Sequence, residues 1–183
     1  MRVLLLLLLV FSTLFINAQR PESFDFETIE KTTRLPVGIQ IETSADYKVS
    51  LDSLNAYSGK YCIKIEKDSS IKGETLGGSV SFLIPNYCQG ETLRLEAFIK
   101  TESISKGWAS IWIQTDGLPE FDKLKRSGIK GSNDWKMYSI EIPVKKGVSA
   151  IRIGAMMNGY GRMWIDQLHL FHNGNMISLA HND

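Results

Sequence analysis

Apolar and polar residues alternate one for one through much of this chain, and that spacing restricts it to strands. Lys60-Tyr61-Cys62-Ile63-Lys64-Ile65-Glu66-Lys67, Thr92-Leu93-Arg94-Leu95-Glu96-Ala97-Phe98-Ile99-Lys100 and Ser139-Ile140-Glu141-Ile142 keep the pattern without a break. A period of two sends successive side chains to opposite faces, and Ile, Val, Tyr and Trp fill such half-buried surfaces. Tyr61, Ile63 and Ile65 are thus expected toward the core and Cys62 on the other side. Further strands are predicted over 39–43, 47–51, 78–84, 108–114, 150–156 and 162–171. Turn residues punctuate them, among them Ser58-Gly59-Lys60, Gly77-Gly78, Asp116-Gly117, Gly131-Ser132-Asn133-Asp134 and Asn158-Gly159. About nine short strands with regular turns predict an all-β, two-sheet antiparallel sandwich or barrel rather than βαβ units.

The first residues follow another rule. Arg2 precedes an apolar run, Val3 to Ile16, and Ile16-Asn17-Ala18 suits signal-peptidase cleavage. The run is shorter than the roughly 20 residues a spanning helix needs. Residues 1–18 are therefore expected to be a cleaved signal peptide, 19–172 a single domain, and 173–183 a C-terminal tail that frays. No later stretch is apolar enough to enter a membrane, so the expected compartment is secreted or periplasmic. Cys62 and Cys88 would meet an oxidising environment there. Whether they bond stays open, because a disulfide needs Cα atoms within about 7 Å. The least regular stretch, Leu118 to Asn133, is basic and is expected to be a long loop across one end of the sandwich.

Charge narrows the partners. Lys+Arg number 21 and Asp+Glu 20, and loss of Arg2 with the signal leaves no net charge. Nucleic acid, which is bound through a cationic surplus, is not an expected partner. Signatures of catalysis are missing: there is no Gly-x-Ser-x-Gly and no His-Glu-x-x-His. Ser103-Ile104-Ser105-Lys106 matches Ser-x-x-Lys but falls between two strands, and His169 and His172 stand three apart on a strand, facing opposite ways. The chain is not expected to be an enzyme.

One stretch does have binding chemistry. In Trp108-Ala109-Ser110-Ile111-Trp112-Ile113-Gln114, alternation gives Ala109, Ile111 and Ile113 to the core and Trp108, Ser110, Trp112 and Gln114 to the opposite face. Sugars pack C–H patches on aromatic rings and hydrogen-bond through hydroxyls, so two Trp and a Gln form a platform for a glycan. Arg94 and Arg152 alternate outward on other strands and join this expected site. Covering of either Trp by the 118–133 loop is the opposing reading.

Five segments in order resemble the galactose-binding-like jelly rolls of the carbohydrate-binding-module type. They are Phe24-Asp25-Phe26-Glu27, Ser53-Leu54-Asn55-Ala56-Tyr57-Ser58-Gly59-Lys60-Tyr61, Gly90 to Glu102, Asp134-Trp135-Lys136-Met137-Tyr138 and Met163-Trp164-Ile165-Asp166-Gln167-Leu168. The form most similar is the accessory domain preceding hydrolase or peptidase domains in secreted proteins of Bacteroidetes-type bacteria. The resemblance implies a jelly roll with Trp135 and Trp164 in structural positions. It also implies a structural calcium held by Glu27, Asp52, the Gly59 and Lys60 turn carbonyls, and Asp166. Such hard oxygen donors are what Ca²⁺ takes. The expected function is a non-catalytic carbohydrate-binding module. The alternative is a structural or protein-interaction accessory domain, with a hydrolase as partner.

Overall fold

Alternation is realised as strands throughout. A computed structural model describes residues 24–68, 70, 77–85, 92–115, 118–120, 128–144, 148 and 150–177. The expected signal peptide, Cys88 and residues 121–127 of the expected loop lie outside these. The strands are β1 (Gln40–Thr43), β2 (Tyr47–Asp52), β3 (Cys62–Lys67), β4 (Gly78–Pro85), β5 (Thr92–Thr115), β6 (Leu118–Glu120), β7 (Ile129–Pro143), β8 (Ala150–Met157), β9 (Tyr160–His172) and β10 (Asn175–Met176). All pairings are antiparallel, and among the described residues no helix is long and apolar enough to cross a membrane.

Strand β5 joins the two layers. Its first half pairs with β7 and β9, and its second half with β8 and β6. Between them Ser103 (φ 56°) and Lys106 (φ 54°) take left-handed conformations, and the ladders shift register. Bulges of this kind bend a strand so that it can serve two sheets. One layer therefore runs β1-β4-β8-β5-β6, and the other β7-β5-β9-β3-β2. The two strands expected over 92–100 and 108–114 are one. The structure is the all-β antiparallel sandwich of a jelly roll.

The core lies between the layers. Ile63 and Ile65 of β3, Leu93, Leu95, Ala97 and Ile99 of β5, Ile151 and Ile153 of β8, and Met163, Ile165 and Leu170 of β9 are buried there. On β9 the alternation slips once: Phe98 registers with Asp166 but Glu96 with His169, and Gln167 sits at φ 49°. That bulge returns Leu168 to the core after Asp166 has pointed away from it.

Two boundaries differ from expectation. Strand β7 begins at Ile129, so Gly131 to Asp134 is part of a bulged edge strand and not a turn. The tail does not begin at 173 as a frayed end. Asn173 (φ 49°) and Gly174 (φ 80°) turn the chain back, Asn175 and Met176 register with His172 and Phe171, and the Ile177 N–H donates to the Leu170 carbonyl at 2.8 Å. An Asn-Gly pair with both residues at positive φ is the two-residue hairpin turn that matches strand twist.

Candidate functional site

The second half of β5 divides as its alternation requires. Ala109, Ile111 and Ile113 belong to the core, while Trp108, Ser110, Trp112 and Gln114 face outward from the first layer. Cross-strand register extends that face. Gln114 stands opposite Arg152 and Trp112 opposite Gly154 on β8; on β4 these meet Leu83 and Ser81. Ser110 registers with Met156, which meets Ser79, and Ser79 registers with Glu42 on β1. The face thus mixes Trp, Gln, Arg, Glu, Ser and Gly with Leu83 and Met156, without a continuous row of branched aliphatics.

Its residues differ in access. Trp108 and Gln114 are half-buried, but Trp112 is only 5% exposed. The indole lies on the expected face and is covered there rather than open to solvent. Backbone contacts fix Trp108: its N–H donates to Asn158 Oδ1 at 2.9 Å, and its carbonyl accepts from the Asn158 N–H at 2.9 Å. Gly154 is required by closeness to β4, since a Cβ there would overlap the Val80 carbonyl oxygen and lie 3.0 Å from Ser81 Cα. Arg152 Nη1 donates to Glu42 Oε1 at 2.8 Å, a bond that crosses β4 from β8 to β1.

Arg94 does not join this group. It lies on the first half of β5, in the other layer, 3.3 Å from Glu96 and with its guanidinium 4.4 Å from the Phe171 ring centroid. The structure therefore puts Trp108, Trp112, Gln114 and Arg152 on one face, with Gln114 opposite Arg152 and Trp108 at the far end of the strand, and places Arg94 elsewhere. Glu42 was missed in the sequence, where it sits on a short strand with every residue exposed.

The expected calcium ligands gather around the 52–61 turn, on the outward side of the second layer. Asp166 is fully buried, and its Oδ2 accepts from the Tyr57 and Ser58 N–H groups at 2.8 and 3.1 Å, its Oδ1 from Gln167 at 2.8 Å. Burial pushes this carboxyl up to about 6 against those three bonds, and the nearby Glu27 charge adds to the rise. Glu27 Oε1 accepts from the Lys60 and Tyr61 N–H groups at 2.9 and 3.0 Å. Gly59 (φ 66°) lies against that carboxylate, where a Cβ would overlap Oε1. Asp52 has other work: Oδ1 accepts from the Leu54 and Asn55 N–H groups, and Oδ2 from Asn55 Nδ2 and the Trp164 indole at 2.8 Å.

Among the described residues no three of His, Cys, Asp and Glu converge as a metal cluster. Two carboxylates do converge, Glu27 and Asp166, with no basic side chain among their hydrogen-bond partners in the turn. Carboxylate oxygens are hard donors of the kind Ca²⁺ takes, and here both groups are already engaged by backbone N–H groups of the turn. Asp52 is not part of this pair.

Neighbouring side chains complete the second outward face. Trp164 is nearly buried and lies outside the core cluster, beneath Asp52. Trp135, expected in a structural position, is half-buried at the surface beside Tyr57, 5.7 Å between ring centroids. Cys62 is fully buried on this side as a free thiol, and burial pushes its pKa up to about 12.

No protein-family model matches the chain. It is 27% identical over 128 residues to the uncharacterized HTH-type transcriptional regulator YbfP of Bacillus subtilis, a match covering 67% of this chain and 42% of the regulator. A family 61 carbohydrate-binding module solved with β-1,4-galactotriose is similar in structure, at TM-score 0.52 and 15% identity, over 86% of this chain and 99% of the module. A xylan-binding domain of family 22 aligns at TM-score 0.55 and 11% identity, over 84% and 98%. The enzymatically active domain of bacteriophage CBA120 tailspike protein 4 aligns at 0.55 and 15%, but only 22% of that chain is spanned. At these identities the likeness is one of fold, and the fold is that of a carbohydrate-binding-module-type jelly roll.

Proposed function

We propose that this protein is a secreted, non-catalytic carbohydrate-binding module that holds glycans on the outward face of β1, β4, β8 and the second half of β5. One observation carries the reading. Trp108, Trp112 and Gln114 are turned away from the apolar core, Gln114 stands opposite Arg152, and the buried Ser81, Ser110 and Gly154 lie between them on the same face. The half-buried Trp108 ring, the Gln114 amide and the Arg152 guanidinium are groups a pyranose can use, with Trp112 packed beneath the face. Affinity electrophoresis through gels containing polysaccharide tests it. Gln114→Ala and Trp108→Ala should each lose retention while melting as the parent does. Retention equal to the parent in both variants removes the face from the function.

Calcium belongs to the same reading. Glu27 and Asp166 would hold it together with backbone oxygens of the Gly59 and Lys60 turn, and the ion would supply structural charge balance to a buried carboxylate. It would tie the start of the domain to β9. Chelation should lower the melting temperature, and Asp166→Asn should abolish that dependence. An unchanged melting curve in chelator excludes the ion.

A second reading, an accessory domain that docks a partner such as a hydrolase, draws on the opposite face. There Leu54 is 93% exposed, Met137 and Tyr57 are exposed, and Tyr57 stacks on Phe98 at 3.8 Å. Failure of every glycan to retain the protein would favour it.

A further inference from the structure

The ion pair Glu42–Arg152 is a feature of the proposed glycan face that the fold does not explain. Arg152 Nη1 lies 2.8 Å from Glu42 Oε1, and the side chains remain 32% and 64% exposed. Strand β4 runs between their strands and presents Ser79 and Ser81 outward at the crossing, so the long arginine side chain lies across small residues. Gln114 and Leu83 register with Arg152 on its two sides. Exposed pairs of this kind contribute little to stability. The place of this one, beside Gln114 and across the row from Trp112, calls for a binding role.

The chemistry of the pair is directional. A guanidinium only donates hydrogen bonds, a carboxylate only accepts them, and a hydroxyl does both. Set side by side, the two groups offer a donor and an acceptor at one hydrogen-bond length. Two hydroxyls on adjacent ring carbons stand about that far apart, so one can accept from Arg152 while its neighbour donates to Glu42. An isolated hydroxyl satisfies only one of them and leaves the other group without its sugar partner. The pair is also neutral as a unit. An anionic sugar finds the guanidinium already matched and meets Glu42, the more exposed member, as a like charge.

Resting on the glycan-binding reading of this face, we infer that Glu42 and Arg152 set its specificity. They select neutral glycans whose interior residues carry vicinal hydroxyls, and they reject uronates and linkages that remove the diol. No covalent step is involved; the selection is by hydrogen bonding and charge alone.

Affinity electrophoresis of the full chain in four gels tests this, using xylan, β-1,4-galactan, β-1,3-glucan and polygalacturonate. Interior residues of the first two keep free hydroxyls on adjacent carbons, and those of β-1,3-glucan do not. Retention is expected with xylan or galactan, and retention about tenfold weaker or less with the other two, the size of one charged hydrogen bond. Periodate, which splits the bond between vicinal hydroxyl carbons, should abolish retention by the oxidised polysaccharide. Glu42→Gln keeps shape but not charge, and should weaken retention by about tenfold while raising relative retention by polygalacturonate. Its melting curve serves as the folding control. Equal retention by β-1,3-glucan, or a Glu42→Gln variant indistinguishable from the parent, overturns the diol selection and leaves the glycan face standing. No retention in any gel overturns both.

Discussion

Asp52 closes β2 with four N–H donors arranged around its two oxygens, and its acidity follows from them. Burial opposes ionisation, but the Trp164 indole and the groups of Leu54 and Asn55 outweigh it and hold the carboxyl below its ordinary 3.8. A carboxyl depressed in the folded state contributes stability that is present above the unfolded value and is lost as pH falls through the folded one. Urea unfolding of the parent should therefore weaken as pH drops below about 4, and Asp52→Asn should flatten that acid limb. Trp164→Phe, which removes the strongest of the lowering bonds, should bring the folded value back toward 3.8 and make the limb smaller. An acid limb unchanged in both variants would assign it to other carboxylates. At this scale the sequence was legible where alternation acts alone, as for Trp112 and Gln114, which it placed on the face away from the core. It could not show that Trp112 would be covered. Nor could it reveal Glu42, whose partner Arg152 is 110 residues away along the chain and is reached only by the order β1-β4-β8. Alternation alone groups Arg94 with them, because it gives a side but not a layer.

Strands were readable wherever one face is apolar. Strand β3 is an example, because Ile63 and Ile65 are buried inward while Lys64 and Glu66 pair outward at 2.8 Å. Edge strands were not readable in the same way: most of β7 before Ile140 is exposed, so Ser132, Asn133 and Asp134 look like a turn although they continue the ladder through bulges. The continuity of β5 was hidden for a related reason, since its bend at Ser103 to Gly107 interrupts the apolar rhythm without ending the strand. Element packing yields its own prediction at Gly154. An added methyl would press on the Val80 carbonyl and on Ser81 Cβ at 3.1 Å, both in β4, and a strand backbone cannot rotate away as a side chain would. Gly154→Ala should destabilise the protein by about 1–3 kcal/mol, the usual cost of overpacking. A urea midpoint equal to that of the parent would mean that β4 and β8 separate freely. Loss of glycan retention in the same variant, with the fold intact, would place the contact between these strands within the binding face.

The whole molecule is built to be electrically quiet. Acidic and basic residues nearly balance, and the proposed face sets its one arginine against a glutamate. The other outward face repeats the device, with Glu66 between Lys64 and Arg162, and Arg162 also 3.0 Å from Glu102. Ligands held through fixed charge lose affinity steeply with salt because counterions compete for the same sites, whereas ring stacking and hydrogen bonds to neutral hydroxyls do not. Binding of a neutral polysaccharide should accordingly change by less than about twofold between low salt and 0.5 M, where the screening length has fallen to only a few ångströms. Affinity electrophoresis at increasing sodium chloride checks this directly. A steep decline would locate the binding energy in cationic groups, and Arg152 would be the first to replace by glutamine. A flat response combined with loss of retention on Gln114→Ala would tie affinity to the uncharged groups of the β5 face.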